Sequence, residues 1–249
     1  MKQLRAIFFD LGGTLFSNRQ IPLICAPLLI EVAKRLGVES GLSSLGPAFV
    51  QAMQKTNAQY LNRPYYLHRN LFHDVWRELA RAFDQEATPE FLDWFSRAQR
   101  EVMTSQPRLR DDCLDTLRAL RSRGLELAIV SNIDDDYLEP MLENLRLAPL
   151  FDHWTSSQAA RSCKPDPGIF QHALRRAGCN VEEVLFVGDS RVHDIEGAGR
   201  MGMETVLISE QGGVSHLDDE HFDSDPDHVI AELSELIEII DRRELGASA

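Results

Sequence analysis

Cysteine is scarce in this chain: of 249 residues only Cys25, Cys113, Cys163 and Cys179 carry a thiol, and none sits in a C-x-x-C pair. That spacing excludes a zinc ribbon or a dithiol motif, and free thiols point to a reducing, cytoplasmic location. Long apolar runs are missing too. The N-terminal run ends at Asp10 with no small-residue cleavage site after it, unlike a secretory leader. Ile21 to Ile30, the longest other apolar stretch, holds Pro22 and Pro27 and falls well short of the ~20 residues of a membrane span. Positive charge is in deficit, with 26 Lys and Arg against 39 Asp and Glu and a net charge of −13. Nucleic acid and anionic membrane surfaces both demand cations, so neither is expected as a partner. An anionic substrate must be captured by a local positive site within a repulsive field. No repeat or low-complexity tract is present, and Asp218-Asp219-Glu220 reads as a solvated acidic loop.

What the chain holds is a globular mixture of 43% hydrophobic and 26% charged residues. Arg5 to Leu11 is short, apolar and bounded by Gly12-Gly13, the signature of a buried strand. Similar runs recur at Leu125 to Asn132, Val184 to Ser190 and Met203 to Ser209. Helical patterns separate them. Cys113 to Arg123 carries Leu114, Leu117, Ala119 and Leu120, with Gly124 just past its end. Asp166 and Pro167 cap and open a helix through Ala177, with Gly178 behind it. Asp134-Asp135-Asp136 precedes a helix around Tyr137 to Leu145 and reads as its cap and first turn. Asp227 is placed to cap a last helix, Val229 to Ile240, striped by Val229, Ile230, Leu233, Leu236, Ile237 and Ile240. Alternating strands and helices predict an α/β fold: a Rossmann-like, mainly parallel sheet with helices on both faces.

Residues 17–107 differ, for they hold helical patterns and no convincing strand. Leu71, Val75, Leu79 and Phe83 mark one helix face, and Phe91, Trp94, Phe95, Ala98 and Val102 another. Aromatics at that spacing are core, not a cofactor box. The expected division is an α/β core domain of residues 1–16 and 108–249 and an all-helical cap domain of residues 17–107. The cap would lie over the carboxyl edge of the sheet, where ligands bind in such folds.

Chemistry-bearing residues gather at the strand ends. Asp10 is followed by Gly12-Gly13-Thr14, the second strand ends in Ser131-Asn132, Lys164 precedes Pro165, and Gly188-Asp189-Ser190 leads to Asp194. A strand-end carboxylate, a hydroxyl, a lysine and two further carboxylates are what metal-assisted phosphoryl transfer to an aspartate requires. Carboxylates offer hard oxygen ligands to Mg²⁺, and the lysine neutralises the anion beside them. Pro165 favours an extended backbone at Lys164, and the helix opening at Asp166 fixes its direction.

These segments resemble the four motifs of the haloacid dehalogenase-like hydrolases. They are F-F-D-L-G-G-T-L at Phe8 to Leu15, V-S-N ending at Asn132, C-K-P-D-P-G-I-F at Cys163 to Phe170, and V-G-D-S-R-V-H-D-I-E-G-A at Val187 to Ala198. Their order and separations match the family over residues 1–16 and 108–240, and the insert is similar to its first type of cap. The resemblance implies that Asp10 attacks phosphorus and becomes an aspartyl-phosphate. Mg²⁺ would be held by Asp10, Asp189 and the carbonyl of Gly12, with Asp194 in support. Ser131 and Asn132 would hold phosphate oxygens, and Lys164 would pair with Asp10 and the phosphate. The implied substrate is a small phosphorylated metabolite.

One position departs from the family pattern. Its phosphatases carry a second aspartate two residues after the nucleophile, where this chain has Gly12. That side chain protonates the leaving alcohol and then activates water, a contribution of ~10²–10⁴-fold for general acid–base catalysis. Two alternatives to a phosphatase therefore stand: a weak or non-catalytic phosphate- or partner-binding protein, and a hydrolase of C–halogen or C–P bonds. Dehalogenases need no such metal site and tend to place an aromatic residue at this position, which counts against the first kind of bond. A C–P hydrolase wants a cap lysine forming an imine, and Lys34 and Lys55 have no special surroundings. Arg63, Tyr65, Tyr66, His68, Arg69 and His73 are the richest polar cluster of the insert. They either bind a second anionic group or coat its outer face, and His68 and His73 are the first candidates for a substitute acid. Gly197 to Gly202 matches G-x-G-x-x-G but precedes a strand instead of following one, which reads as close packing. His193 reads as an exposed structural histidine, and Cys163 as an ordinary loop thiol.

Overall fold

A computed structural model describes residues 3–38, 42–60, 63–209 and 225–247, with the side chains of 42 and 244–247 left out. The acidic run 218–220 lies outside these residues. β1 (Ala6–Phe9) runs through the middle of a six-stranded sheet, between β2 (Glu126–Ser131) and β4 (Val184–Gly188). Beyond β2 lies β3 (His153–Ser156), followed by the one-turn α7 (Ser157–Ala160), and beyond β4 lie β5 (Glu204–Ile208) and β6 (His228–Ile230). Every neighbouring pair is parallel.

The strands are apolar because both sheet faces are covered. Alternation along β1 divides its side chains between two cores. Ile7 and Phe9 join Leu117 and Leu120 of α5 (Cys113–Ser122), whereas Ala6 and Phe8 join Ile169 and Phe170 of α8 (Pro167–Ala177). The start and stop of α8 follow its sequence signals. Asp166 accepts from the Gly168 amide at 2.9 Å, Pro167 takes the first helical position, and Gly178 closes the helix at φ +61°.

The C-terminal expectation is corrected. Val229 and Ile230 belong to β6, followed by a single turn at Leu233–Glu235 and then α10 (Leu236–Ala247). The open edge of β5 claims the segment, since unpaired main-chain groups there need partners. Asp227 caps no helix; its carboxylate accepts from the Thr205 amide at 2.8 Å and the Thr205 hydroxyl at 2.9 Å, and the Ser209 amide donates to the Ile230 carbonyl at 2.8 Å. β3 also lay beyond the sequence reading. The glycine-rich run forms α9 (Gly197–Met201), where Gly197 packs so closely that a Cβ would stand 2.8 Å from the Phe170 ring.

Between β1 and α5 come α1 (Ile21–Arg35), α2 (Leu42–Tyr60), α3 (His68–Arg81) and α4 (Pro89–Ser105). They enclose their own apolar cluster, with Val32, Leu45, Val75, Trp76, Leu79 and Phe95 at its centre. Both connecting segments are tied together: Gln20 donates to the Arg108 carbonyl at 2.9 Å and accepts from its amide at 2.8 Å. On the sheet side, Arg110 donates to the carbonyls of Thr14 at 2.8 Å and Gly13 at 2.6 Å.

The triple aspartate stands where expected, Asp134 at the N-cap of the next helix and Asp135 and Asp136 in its first turn, but its side chains are used differently. None of its side chains caps α6 (Asp135–Asn144). Asp134 is buried and instead accepts from the amides of His68 and Arg69 at 2.9 Å each, capping α3 of the insert. Asp135 accepts from Ser156, and Asp136 pairs with Arg100 of α4 at 2.8 Å. An unpaired helix N-terminus offers donors to any nearby carboxylate, and α3 arrives with none of its own. Among the described residues, no helix is long and apolar enough to cross a membrane.

Candidate active site

Strand order 3-2-1-4-5-6 reverses direction at β1, so the loops after β1 and β4 diverge and leave a crevice at the carboxyl edge. Asp10 follows β1 there, Ser131 closes β2, and Asp189 follows β4. Lys164 enters from the segment before α8, through a cis Lys164–Pro165 bond. Its side chain is buried, with Nζ 2.5 Å from Oδ1 of Asp10 and 2.5 Å from Oδ1 of Asp194. Burial alone would lower the ammonium pKa, but the two carboxylates outweigh it and hold the group above its ordinary value. Asp194 is pushed up to about 6 by burial, against the pull of Lys164.

Main-chain geometry holds these groups. Asp194 lies in a wide turn in which its amide and that of Ile195 both donate to the Ser190 carbonyl, at 3.0 and 3.1 Å. Its Oδ2 accepts from the Ser190 amide at 3.0 Å, leaving Oδ1 for Lys164. Such i→i+5 turns concentrate at functional sites. His193 closes the same turn with Nδ1 3.1 Å from Ser190 Oγ, and it is half-buried where exposure was expected.

Asn132 follows Ser131 and is hydrogen-bonded to the main chain of Lys164. Its side chain accepts from the Lys164 amide at 2.7 Å and donates to the Lys164 carbonyl at 2.9 Å. One N–H and the oxygen of the amide thereby fix Lys164, and this pairing leaves the second N–H of Nδ2 unused. Ser131 is buried at the same strand end.

One oxygen each from Asp10, Asp189 and Asp194 lie within 4.8 Å of one another. Three clustered carboxylates against one lysine leave excess negative charge, and hard oxygen donors of this kind fit Mg²⁺. The turn is shaped around them. Gly13 has φ +82°, and a Cβ there would stand 2.0 Å from Oδ2 of Asp189, so only glycine admits that carboxylate. Gly12 is different: a Cβ would meet Phe16 at 3.4 Å and Asn18 Oδ1 at 3.8 Å, both tolerable contacts. Asn18, which sequence reading missed, donates from Nδ2 to Oδ2 of Asp189 at 3.1 Å. Nothing local marks it, for an asparagine after a strand-turn motif is an ordinary turn residue.

The profile of the haloacid dehalogenase-like hydrolases matches residues 4–202. The chain belongs to that family. It is 33% identical to haloacid dehalogenase-like hydrolase domain-containing protein 3 of Bos taurus, over 99% of this chain and 97% of that protein. Identity to a glyceraldehyde 3-phosphate phosphatase of Pyrococcus furiosus is 27%, over 97% and 95% of the two chains. Among solved structures, a dehalogenase superposes with a TM-score of 0.67 at 26% identity, covering 96% of this chain and 98% of its own.

In this haloacid dehalogenase-like hydrolase the polar cluster of the insert splits in two. The Pro64 carbonyl accepts from the Cys163 amide at 2.8 Å and the Tyr66 carbonyl from its thiol at 3.5 Å, so this segment rests beside Lys164. Burial raises the Cys163 thiol pKa, in keeping with an inert thiol. Arg63 stacks over Tyr60 at 3.9 Å, and Tyr66 packs on Tyr60 and His68. His73 turns away to Ser96, 2.7 Å from its Nε2, and burial lowers its pKa. Arg69 lines a cleft of about 200 Å³ with Arg97, Arg100 and Tyr137, on the α4–α6 side. Lys34 lies 4.0 Å from Glu31 and Lys55 pairs with Glu78. Neither lysine contacts the site.

Proposed function

We propose that this family member is a Mg²⁺-dependent phosphatase acting on a small phosphate monoester, with Asp10 as nucleophile and residues 17–107 as the cap that selects the leaving group. The observation that carries the reading is Lys164, buried between Asp10 and Asp194 with Asp189 alongside. A lone attacking carboxylate in this position would repel a phosphate dianion. The lysine offsets that repulsion while keeping an Asp10 oxygen in a fixed direction. Asp10, Asp189 and the Gly12 carbonyl would hold Mg²⁺, with Asp194 in support; when bound, the ion supplies positive charge against the phosphoryl oxygens.

Asp10 then attacks phosphorus, the bond to the leaving oxygen breaks, and the leaving oxygen takes its proton from water, because Gly12 carries no acid. A second water attacks the aspartyl-phosphate, releasing phosphate and restoring Asp10. Lys164 remains protonated throughout, and Ser131 and Asn132 would hold phosphoryl oxygens. The phosphatase named among the relatives supports this chemistry. Against displacement of halide from carbon stands the three-carboxylate cluster, which that reaction does not need.

Gly12 favours a slow enzyme as the second reading, since loss of acid–base help costs ~10²–10⁴-fold. Phosphate release from a panel of phosphorylated metabolites, with Mg²⁺ and with EDTA, tests the proposal. Turnover of at least one ester that stops with EDTA is expected. Turnover indifferent to EDTA would remove the metal from the reaction, and phosphate binding without turnover would leave the second reading.

A further inference from the structure

We infer that Asn18 is a positioning residue beside the place of the missing acid, fixing Asp189 for metal binding and tying it to the cap linker. The inference rests on the phosphatase reading above. Three observations meet at this side chain. Its Nδ2 donates to Oδ2 of Asp189 at 3.1 Å. Its Oδ1 lies 3.8 Å from where a Gly12 Cβ would stand, and its Nδ2 lies 2.6 Å from the corresponding point on Gly13. Asn18 also opens the turn Asn18–Gln20 that leads into α1, and Gln20 is bonded at both ends of its amide to Arg108 on the returning linker.

The chemistry follows from the atoms. A carboxylate accepts only, so the amide must present its NH₂ to Asp189 and its oxygen to the space above Gly12. An amide oxygen can orient a water or a hydroxyl there, but it can neither give nor take a proton at working pH. Asn18 thus keeps the shape of a polar group above the turn and omits its acid–base function. Because it sits on the linker, any rotation of the cap about residues 18–20 moves the donor that aims Asp189.

Partners that orient a metal ligand from behind typically govern metal affinity by roughly 10–100-fold. The test is titration of Mg²⁺ into the folded protein without substrate, by calorimetry, for the natural chain, Asn18→Ala and Asn18→Leu. Leu keeps the volume and removes the amide, and a thermal melt confirms that each variant is folded. Both variants should bind Mg²⁺ roughly 10–100-fold more weakly. Their rates should fall by a similar factor for good and poor leaving groups. Unchanged Mg²⁺ affinity in both folded variants would overturn the inference. So would a rate loss confined to poor leaving groups, which would make Asn18 part of a proton-donating path. If the natural chain itself fails to bind Mg²⁺, the phosphatase reading falls first, which is a separate outcome.

Discussion

Lys164 Nζ stands 2.5 Å from Oδ1 of Asp10 although 154 residues separate them in the chain. The ammonium is buried, and its second contact, Asp194, is buried as well. Removing one member of such a group strands the others. Lys164→Ala should therefore lower kcat by ~10²–10³-fold, the scale of losing one preorganised electrostatic donor. It should also cost about 3–5 kcal/mol of stability, because two carboxylates are left facing each other in a buried site. Steady-state phosphate release and chemical denaturation measure the two effects.

Gly12→Asp should speed hydrolysis of alkyl phosphates, which need a protonated leaving group, more than of p-nitrophenyl phosphate, by up to ~10²–10⁴-fold. The turn has room for it, since the nearest atom to a new Cβ is Phe16 at 3.4 Å. Gly13→Ala is the control: its Cβ would collide with Asp189, and activity and Mg²⁺ binding should both be lost. A folded, Mg²⁺-binding Gly12→Asp protein with no gain on any ester would show that the missing acid does not limit turnover. His68, 3.8 Å from Asp134, and His73, 2.7 Å from Ser96, would then be the residues to replace.

How far the sequence carried depends on how local each determinant is. The helix from Pro167 to Ala177 was legible to the residue, because its cap, proline and closing glycine lie within the segment itself. Val229 and Ile230 were misread as helix because their spacing continues the stripe of Leu233 and Leu236. Their pairing is decided by β5, more than twenty residues earlier. Asp10, Lys164, Asp189 and Asp194 could be named from motifs and are brought together in the structure. Asn132 could be named but not aimed, since its two hydrogen bonds go to a backbone 32 residues away. Asn18 was missed for the same reason, and Asp134 was legible as the cap of α6 but not as the side chain that caps α3.

Asp134 joins the loop after β2 to the first turn of α3 through two 2.9 Å bonds. Burial alone would raise its pKa, but hydrogen bonds from the His68 and Arg69 side hold it below the ordinary aspartate value. Asp134→Ala should destabilise the protein by about 1–2 kcal/mol, as for loss of a helix cap. Hydrogen exchange at the His68 and Arg69 amides should quicken well before that of the strands. Unchanged protection at those amides would mean that α3 is held by its apolar face alone.

His153 gives the pH dependence. It is 5% exposed on β3, edge-on to Phe8, and neither ring nitrogen has a hydrogen-bond partner among the described residues. Burial and then Arg176 lower its pKa to about 4. Glu126 lies 3.4 Å away but is itself shifted up by burial, so it offsets little. The unfolded chain therefore binds a proton that the folded one refuses. Stability should be full above about pH 6.5 and fall by up to about 3 kcal/mol as pH drops toward 4. His153→Leu should flatten the denaturation profile in that window, and a profile identical to the natural chain would assign the slope elsewhere.

The most direct test of the account is to look for phosphate on Asp10. Gly12 removes the base that would hasten breakdown of the aspartyl-phosphate, so the intermediate should accumulate with a reactive ester such as p-nitrophenyl phosphate. Rapid acid quenching in the presence of Mg²⁺, followed by peptide mass spectrometry, should find one phosphate on the peptide bearing Asp10 and none after Asp10→Asn or with EDTA. Phosphate release without any phosphorylated Asp10, or full activity in Asp10→Asn, would contradict it.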